Sequence, residues 1–229
     1  MMQAATQIRA TTTRPPQPIA ASGLDLLEQF GTRRTLHRGQ QLYAAGDAAS
    51  YCYRLVSGSL RMVGLDAEGR RQIADFLFPG DLCGFDSLET HHLSAEALTD
   101  AVVMCYPRRA VDSLSERNIT VARRLHDAAL RNLRRAHEKM FLLGRKTAGE
   151  RVAAFLLEME SRAPAEGAGR VALPMTRADI ADHLGLTIET VSRTMAQLCR
   201  NGIIAVARFG VEMRDRCALE MFGAEATRH

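Results

Sequence analysis

The sequence of 229 residues predicts an α+β protein: a small antiparallel β-domain, then a long helix, then a helical domain with a β-hairpin. Three observations favour this class. Between residues 24 and 114, turns interrupt short β-type runs at intervals of about ten residues. A stretch without glycine or proline follows, with apolar residues at helical spacing. Further along, a glycine turn separates two helical segments that each begin at a capping residue.

Composition limits the class of protein before any motif is considered. The chain is 46% hydrophobic and 24% charged, which is typical of a soluble globular protein. No apolar run is long enough to span a membrane, and the first residues have no signal-peptide pattern. The five cysteines are scattered and form no C-x-x-C pair, which suits a reducing compartment better than a disulfide framework or a structural zinc site. We therefore expect a cytoplasmic protein with no membrane contact.

The net charge of +4 is compatible with a polyanionic partner but does not establish one. The excess is local, because residues 116–146 hold nine lysines and arginines against three acids, whereas the two signs nearly cancel over residues 151–229. A case for nucleic acid must therefore rest on the geometry of a site rather than on total charge.

The first two predicted segments are a tail and a β-domain. Residues 1–23 contain no acid and include the run Arg14-Pro15-Pro16-Gln17-Pro18, which predicts a disordered tail. Residues 24–115 form the β-domain, whose strand runs lie at 40–47, 51–66, 71–85 and 101–107. A small barrel and a jelly roll both fit this spacing.

Residues 116–144 predict a dimerisation helix. A single helix of roughly 40 Å is expected from Glu116 to about Leu143, at about 1.5 Å per residue, and Gly144 is expected to break it. Its apolar residues recur at near-heptad intervals in a narrow seam flanked by arginines, which favours a parallel two-fold dimer over packing on its own domain alone. The predicted interface residues are Ala122, Leu125, Ala129, Leu133, Ala136 and Met140.

Residues 145–229 predict a winged helix-turn-helix domain. A helix over 146–162 is followed by a loop, and Thr176 with Asp179 then forms a capping box that starts a helix at Arg177. Gly185 should end that helix with a positive φ, and Thr187 should cap a second helix that runs to about Arg200. The alternating residues around Phe209-Gly210 predict a β-hairpin wing.

The second of these helices has two distinct faces. Val191, Met195 and Leu198 should pack inward against Ile180 and Leu184. The opposite face then carries Glu189, Ser192, Arg193, Ala196 and Arg200. In a helix-turn-helix, the second helix enters the major groove of DNA with its N-terminal residues leading.

Glu189 and Arg193 permit two interpretations. They could form a surface ion pair four residues apart, worth about 0.3–0.5 kcal/mol. They could also read bases, since a carboxylate accepts from N4 of cytosine and a guanidinium donates to O6 and N7 of guanine. Their place at the leading end of the helix favours DNA contact, and Glu189 could hold Arg193 while both face a G·C pair.

With these motifs, the chain from about Gly23 onward resembles the Crp/Fnr family of bacterial transcription regulators. YRLVSGSLRMV and FPGDLCGFDSL resemble the glycine-marked strands of that family's cyclic-nucleotide-binding-type β-roll. The resemblance implies a β-roll (jelly roll), a long dimerisation helix and a C-terminal winged helix-turn-helix. It also implies a homodimer on double-stranded DNA, with RNA polymerase as a further partner.

The resemblance also assigns roles in DNA contact. Glu189, Ser192 and Arg193 match the E-x-x-S-R base readers of the Fnr and FixK branch, which implies the palindrome TTGAT-N4-ATCAA. The Crp branch instead has glycine at the serine position and arginine at the position of Ile188. Contacts with phosphate are implied for Thr176, Thr187 and Thr190.

Two departures from the family limit its possible ligands. Cyclic-nucleotide binders carry a glutamate soon after the PGD turn and then an Arg-Ser/Thr pair, but this chain has no arginine between Arg71 and Arg108. We therefore do not expect cyclic AMP to bind. The Fnr iron–sulfur cluster needs several cysteines near the amino terminus, and none precedes Cys52; Cys105 appears one residue away from the family's roll cysteine.

These departures indicate the FixK-like type, which has Fnr-type DNA specificity without a cluster. The resemblance then implies an activator of genes for low-oxygen respiration or nitrogen fixation, usually controlled through its own synthesis. We expect no cofactor.

An alternative is a gas- or redox-sensing regulator of the same family. His37, His91 and His92 could ligate haem, although loop histidines are more often solvated. Cys199 could be a redox switch, although its place beside a core position is more typical of a partly buried, inert thiol. An enzyme with a cupin-like metal site would need an H-x-H pattern, and adjacent histidines point to opposite faces of a strand, so we expect no enzymatic activity.

Overall fold

The computed structural model describes residues 25–85, 89–163, 169–207 and 210–223. The predicted tail and Phe209 of the predicted hairpin turn lie outside these ranges. The elements of the amino-terminal part are α1 (Asp25–Glu28), β1 (Thr32–Leu36), β2 (Gln41–Tyr43), β3 (Tyr51–Ser57), β4 (Leu60–Leu65), β5 (Arg71–Leu77), β6 (Leu82–Cys83), β7 (Ser94–Ala97), β8 (Ala101–Pro107) and α2 (Arg108–Arg117). Those of the remaining chain are α3 (Ile119–Arg145), α4 (Ala148–Arg162), β9 (Arg170–Ala172), α5 (Arg177–Leu184), α6 (Ile188–Arg200), β10 (Ile204–Ala207), β11 (Gly210–Met213) and α7 (Arg216–Phe222).

The β-domain is a roll of two four-stranded antiparallel sheets. Their strand orders are β1-β8-β3-β6 and β2-β7-β4-β5. One buried cluster takes side chains from both sheets, among them Leu36, Leu55, Leu60 and Leu77. Together with the helices, these sheets confirm the predicted α+β class. The two strand orders are those of a jelly roll rather than of a simple barrel.

Two strands of the roll have weak sequence signals. Only one residue of β1, Leu36, is buried, so the strand lacks apolar alternation. The sequence of β7 is SAEA, whose small residues do not favour a strand. Both strands are held by neighbours that are distant in sequence: β1 pairs with β8, and β7 pairs with β2 and β4.

The prediction of one helix that starts at Glu116 and breaks at Gly144 is wrong at both ends. At the start, the side chain of Asn118 accepts hydrogen bonds from the amides of Thr120 and Val121, which separates α2 from α3. At the end, α3 continues through Gly144 to Arg145. The guanidinium of Arg151 donates to the carbonyl oxygens of Leu143 (2.8 Å) and Lys146 (2.9 Å), so these carbonyl groups at the helix end have hydrogen-bond donors.

The carboxy-terminal domain packs α4 to α7 around a core that continues into the roll. Phe155, Leu156 and Ile180 belong to the same buried cluster as Ile73 and Phe76 of β5. Helix α4 begins at Ala148 rather than Lys146, because Thr147 and Glu150 form a capping box. The roll and the helix-turn-helix are therefore joined by apolar packing as well as by the chain. No helix in the described ranges has the length and apolarity needed to cross a bilayer.

Lys139 lies where α3, the roll and α5 meet. Its ammonium donates to the carbonyl oxygens of Ile73 (3.1 Å) and Ala74 (3.4 Å) and lies 2.5 Å from Nδ1 of His183. Burial lowers the pKa of Lys139 to about 7, although two nearby carboxylates oppose this shift. Burial, and after it the charge of Lys139, lowers the pKa of His183 well below its ordinary value. Nδ1 of His183 also lies 3.1 Å from the carbonyl oxygen of Ile73, so the Lys139 ammonium and the His183 ring share this acceptor.

We expect this buried amine to make stability depend on pH. In the unfolded chain the pKa of a lysine is about 10.4, so between pH 7 and about 10 the unfolded state binds more protons than the folded state. The free energy of unfolding should therefore rise with pH in this window, by at most about 1.4 kcal/mol per pH unit. Lys139→Met, which keeps the apolar stem, should remove this rise in urea unfolding measured at several pH values within the window.

Lys146→Met is the matched control, because Lys146 is also partly buried but lies at the end of α3. It should keep the wild-type dependence on pH. Parallel profiles for wild type and Lys139→Met would contradict the lowered pKa of Lys139.

Candidate nucleic-acid interface

Two capped helices and a glycine turn form the helix-turn-helix. In the capping box that starts α5, the side chain of Thr176 accepts from the amide of Asp179, and the carboxylate of Asp179 accepts from the amide of Thr176. Gly185 ends α5 at φ 62°, and Thr187 caps α6 by accepting from the amide of Thr190. The predicted starts of both helices, the positive φ and the end of α6 at Arg200 are confirmed.

The two faces of α6 are also as predicted. Val191, Met195 and Leu198 are buried in one cluster with Ile180 and Leu184 of α5. The opposite face is exposed along its whole length and carries Glu189, Ser192, Arg193, Ala196 and Arg200. The leading residues of α6 are therefore free to meet a partner, and packing against α5 fixes their direction.

Glu189 is ionised and does not pair with Arg193. Its own backbone amide, and next the Thr187 side chain, hold the pKa of Glu189 below its usual range, while Arg193 is a lesser cause. The described part of the chain forms four ion pairs at spacing i,i+4, and Glu189–Arg193 is not one of them: they are Asp66–Arg70, Arg134–Glu138, Glu158–Arg162 and Arg216–Glu220. Glu189 therefore does not hold Arg193 in the free protein, and their joint contact with a G·C pair stays a prediction.

The three threonines lie at the helix starts, where phosphate often binds. The hydroxyl of Thr176 donates its proton to Oδ2 of Asp179 at 2.8 Å, so a bond from this hydroxyl to a phosphate would require that contact to open. The hydroxyls of Thr187 and Thr190 lie 3.1 Å apart. Thr176 and Thr187 are exposed, and Thr190 is partly buried.

The sequence interpretation gave no role to Ile188. As the first residue of α6 it is 47% exposed, beside Glu189 at the leading end. An exposed apolar side chain at this place can contact the methyl group of thymine. The signal was present in the sequence, since neither capping nor packing against α5 requires isoleucine there.

The wing is a three-stranded sheet in the order β10-β11-β9. Its hairpin, β10 with β11, confirms the predicted wing, and β9 adds a strand from the segment before α5. Val206 of β10 is 63% exposed on this sheet.

The predicted dimer-interface residues on α3 lie in two different environments. Leu125 packs against the buried cluster of Leu27, Tyr106 and Val111 in its own chain. Leu133 and Met140 are 52% and 59% exposed. Ala129 and Ala136 are also exposed, and Ala122 is partly buried. Three further large apolar side chains on α3 are exposed: Ile119, Leu130 and Phe141.

The candidate haem ligands do not share one environment. His37 is exposed, 3.8 Å from Asp100, and His92 is exposed. His91 is buried and stacks on Tyr43 with ring centroids 3.8 Å apart, so the expectation that it is solvated is wrong. Within the described ranges, no cluster of three His, Cys, Asp or Glu side chains suits a metal ion.

The cysteines on which the alternatives depend are at least partly buried. Cys199 of α6 is partly exposed and packs at the edge of the carboxy-terminal core, as predicted. Cys105 lies inside the roll, where burial raises the pKa of its thiol.

A cavity of about 1850 Å³ lies between the roll and α3. Its wall on the roll side is largely apolar, with Met62, Leu77 and Phe85 among its residues. Of the described lining residues, the roll contributes the carboxylate of Asp75 but no lysine or arginine, and Asp75 pairs with Arg135. The cationic side chains of the lining come instead from α3 and the residue that follows it: Arg135, Lys139, Arg145 and Lys146.

Comparison with known proteins agrees with this architecture. Residues 150–222 match the family described as the Crp-like helix-turn-helix domain, and residues 33–118 match the cyclic nucleotide-binding domain. The nitrogen fixation regulation protein FixK of Bradyrhizobium diazoefficiens is 38% identical over 206 residues, which cover 89% of this chain and 87% of that protein. The chain belongs to the Crp/Fnr family of transcription regulators.

Within the Crp/Fnr family the chain is FixK-like. FixK of Rhizobium meliloti is 36% identical over 96% of this chain and 97% of that protein. The structure of FixK2 from Bradyrhizobium japonicum superposes with a TM-score of 0.79 at 41% identity and covers 84% of this chain and 96% of that one. This Crp/Fnr regulator is therefore a DNA-binding transcription factor rather than an enzyme.

Proposed function

We propose that this regulator binds TTGAT-N4-ATCAA as a homodimer and reads each half-site with Glu189, Ser192 and Arg193. The observation that carries the proposal is the exposed leading end of α6, where these three side chains face solvent with no ion pair between Glu189 and Arg193 in the described structure. A half-site with one G·C pair offers one guanine and one cytosine in the major groove, which match one guanidinium and one carboxylate.

In the proposed complex, α6 enters the major groove with Ile188 and Glu189 leading. Arg193 donates two hydrogen bonds to O6 and N7 of the guanine, and the ionised Glu189 accepts from N4 of the paired cytosine. Ser192 can donate or accept and lies between them on the same face. Thr187 and Thr190 contact the DNA backbone and hold the helix in register, which carries no sequence information by itself.

A palindrome requires two recognition helices related by a two-fold axis. The exposed apolar side chains on α3 support such a dimer, since Ile119, Leu133 and Met140 are separated by multiples of seven residues. Of twelve large hydrophobic side chains that are exposed in the described structure, five lie on α3, which marks this helix as the surface to be covered.

The names of similar proteins support a proposal for the genes that this regulator controls. Three of these proteins are named nitrogen fixation regulation proteins. We propose that this chain activates genes for low-oxygen respiration or nitrogen fixation in the cytoplasm and acts on RNA polymerase. In this proposal no cofactor controls it; the amount of protein does.

A direct titration tests the palindrome. Purified protein is titrated with a duplex that contains TTGAT-N4-ATCAA and with a duplex in which the G·C pair of each half-site is replaced by A·T. The proposal predicts at least about tenfold tighter binding to the first duplex, because each wrong base pair costs about 1–3 kcal/mol. Equal affinities at the same salt concentration would contradict it.

The thiol of Cys199 supports a second candidate, a redox-sensing regulator of the same family. Cys199 lies near the end of α6, partly exposed, so oxidation would add bulk and polarity close to the DNA-facing surface. Operator binding that peroxide leaves unchanged would dispose of this candidate.

A further inference from the structure

Polar contacts between the roll and the helix-turn-helix converge on the first turn of α5. Asp179 is buried, and its two oxygens have different partners. Oδ2 accepts from the amide (2.9 Å) and the hydroxyl (2.8 Å) of Thr176. Oδ1 accepts from Nη1 of Arg61 (2.7 Å) and Nη2 of Arg71 (3.1 Å). One carboxylate thus closes the helix cap and binds the roll at the same time.

Both arginines come from adjacent strands of the roll and have further carboxylate partners. Arg61 of β4 donates from Nε to Glu96 of β7 at 2.9 Å, which holds its guanidinium in place. Arg71 of β5 donates from Nε to Asp182 at 2.7 Å and so bridges two carboxylates of α5. We refer to Arg61, Arg71, Glu96, Asp179 and Asp182 as the roll–helix latch.

The latch affects the orientation of α6 as well as that of α5, because the two helices share one core. Ile180 and Leu184 of α5 are buried with Val191 and Leu198 of α6. A tilt of α5 against the roll would therefore tilt α6 by a similar angle. The latch lies on the side of α5 that faces the roll, and the base-reading face of α6 stays exposed. The contact between α5 and the roll therefore leaves the base-reading face of α6 exposed.

We propose that Arg61 and Arg71 are positioning residues for DNA reading. They clamp the start of α5 to the roll, so that the two recognition helices of the dimer keep one direction and one separation. Neither arginine contacts DNA in this proposal. It rests on the proposed two-fold dimer, since a fixed separation matters only where two half-sites are read together.

The chain offers a matched pair of variants to test this role. Arg71→Gln removes the bridge to Asp179 and Asp182. Arg70→Gln removes the same charge one residue earlier, where Arg70 is exposed and pairs with Asp66 and Glu68 inside its own turn. A general loss of attraction to DNA affects both variants equally.

The experiment measures affinity for duplexes that share their half-sites and differ in spacer length. The half-sites are those that the wild-type protein itself selects, so the test does not depend on the sequence TTGAT. Spacers are one or two base pairs shorter or longer than the preferred one. Arg71→Gln should bind the preferred duplex about threefold to tenfold more weakly and should discriminate less between spacers, whereas Arg70→Gln keeps the wild-type discrimination.

Two more variants keep the test decisive if Arg71→Gln does not fold. Arg71→Lys retains the charge but reaches one carboxylate instead of two, and should fall between wild type and Arg71→Gln. Asp182→Asn removes the negative charge that pairs with Nε and Nη2 of Arg71 and leaves the contacts of Asp179 in place. It should also relax spacer discrimination, although the removal of a negative charge would by itself strengthen binding to every duplex.

Three outcomes would overturn the proposal. If Arg71→Gln, or the two milder variants in its place, keeps the full wild-type spacer preference, the latch does not position α6. If every duplex is weakened by the same factor, the role of the latch is only to stabilise the fold. A wild-type protein without spacer preference would overturn the two-fold dimer and this proposal with it.

Discussion

Arg193→Ala is expected to cost about 1–3 kcal/mol of binding free energy on a TTGAT duplex and to relax the choice of base at the G·C pair. Among the three proposed base readers, Arg193 alone carries a group that can donate two bonds to one guanine. Its loss leaves O6 and N7 without protein partners, whereas the other base pairs keep theirs. Binding should be measured on the palindrome and on a duplex with each G·C pair replaced, at the same salt concentration.

Two variants on the same helix distinguish base reading from charge. Arg200→Ala removes an equal charge from the far end of α6, where the side chain is also exposed, and should leave the preference between the two duplexes unchanged. Thr187→Ala removes a helix cap and a proposed phosphate contact and should weaken binding to both duplexes alike. If Arg193→Ala also weakens both duplexes alike, Arg193 contacts phosphate only.

Leu133→Glu is expected to convert the proposed dimer into a monomer. Leu133 is 52% exposed near the middle of α3, so glutamate there is harmless to a single chain and retains good helix propensity. In a two-fold seam it would place two carboxylates in an apolar contact. We expect a cost of about 3 kcal/mol, which raises the dissociation constant about a hundredfold. Light scattering at micromolar concentration measures the change directly.

Leu65→Glu is the matched control, because Leu65 is 70% exposed at the end of β4 in the roll and lies outside α3. It should keep the mass of the wild-type protein and its affinity for the palindrome. A wild-type monomer, or a Leu133→Glu variant of wild-type mass, would contradict the placement of the dimer seam on α3.

The helix-turn-helix was predictable to the residue because its signals are local. The capping box of Thr176 and Asp179, the positive φ of Gly185 and the cap at Thr187 each depend on contacts within a few residues. The periodicity of α6 then separates its buried face from its exposed one. Such features follow from helical periodicity and from hydrogen bonds between side chains and nearby backbone amides, so tertiary context had little to change.

The long helix was harder to predict because its ends depend on side chains outside the expected seam. Asn118 was read as part of a continuous helix although it caps α3, and Gly144 was read as a break although Arg151 of the next helix binds carbonyls around it. The choice of exposed face also depends on packing. Leu125 turns toward its own roll, which no spacing argument could reveal.

The latch and the buried histidines lacked any local signal. Arg61 and Asp179 are 118 residues apart, and each is an ordinary charged residue in its own segment. The sequence predicts a solvated His91 and gives no role to His183, but Tyr43 stacks on the first and Lys139 lies 2.5 Å from Nδ1 of the second. Contacts between distant segments decide these environments, and a single sequence does not contain them.

Selection of bound duplexes from a random pool by the purified wild-type protein tests the central claim most directly. The selection is run with and without reductant at one salt concentration. The account predicts enrichment of TTGAT and ATCAA separated by four base pairs under both conditions. Enrichment of an unrelated half-site, or of single half-sites without a fixed spacer, would contradict it.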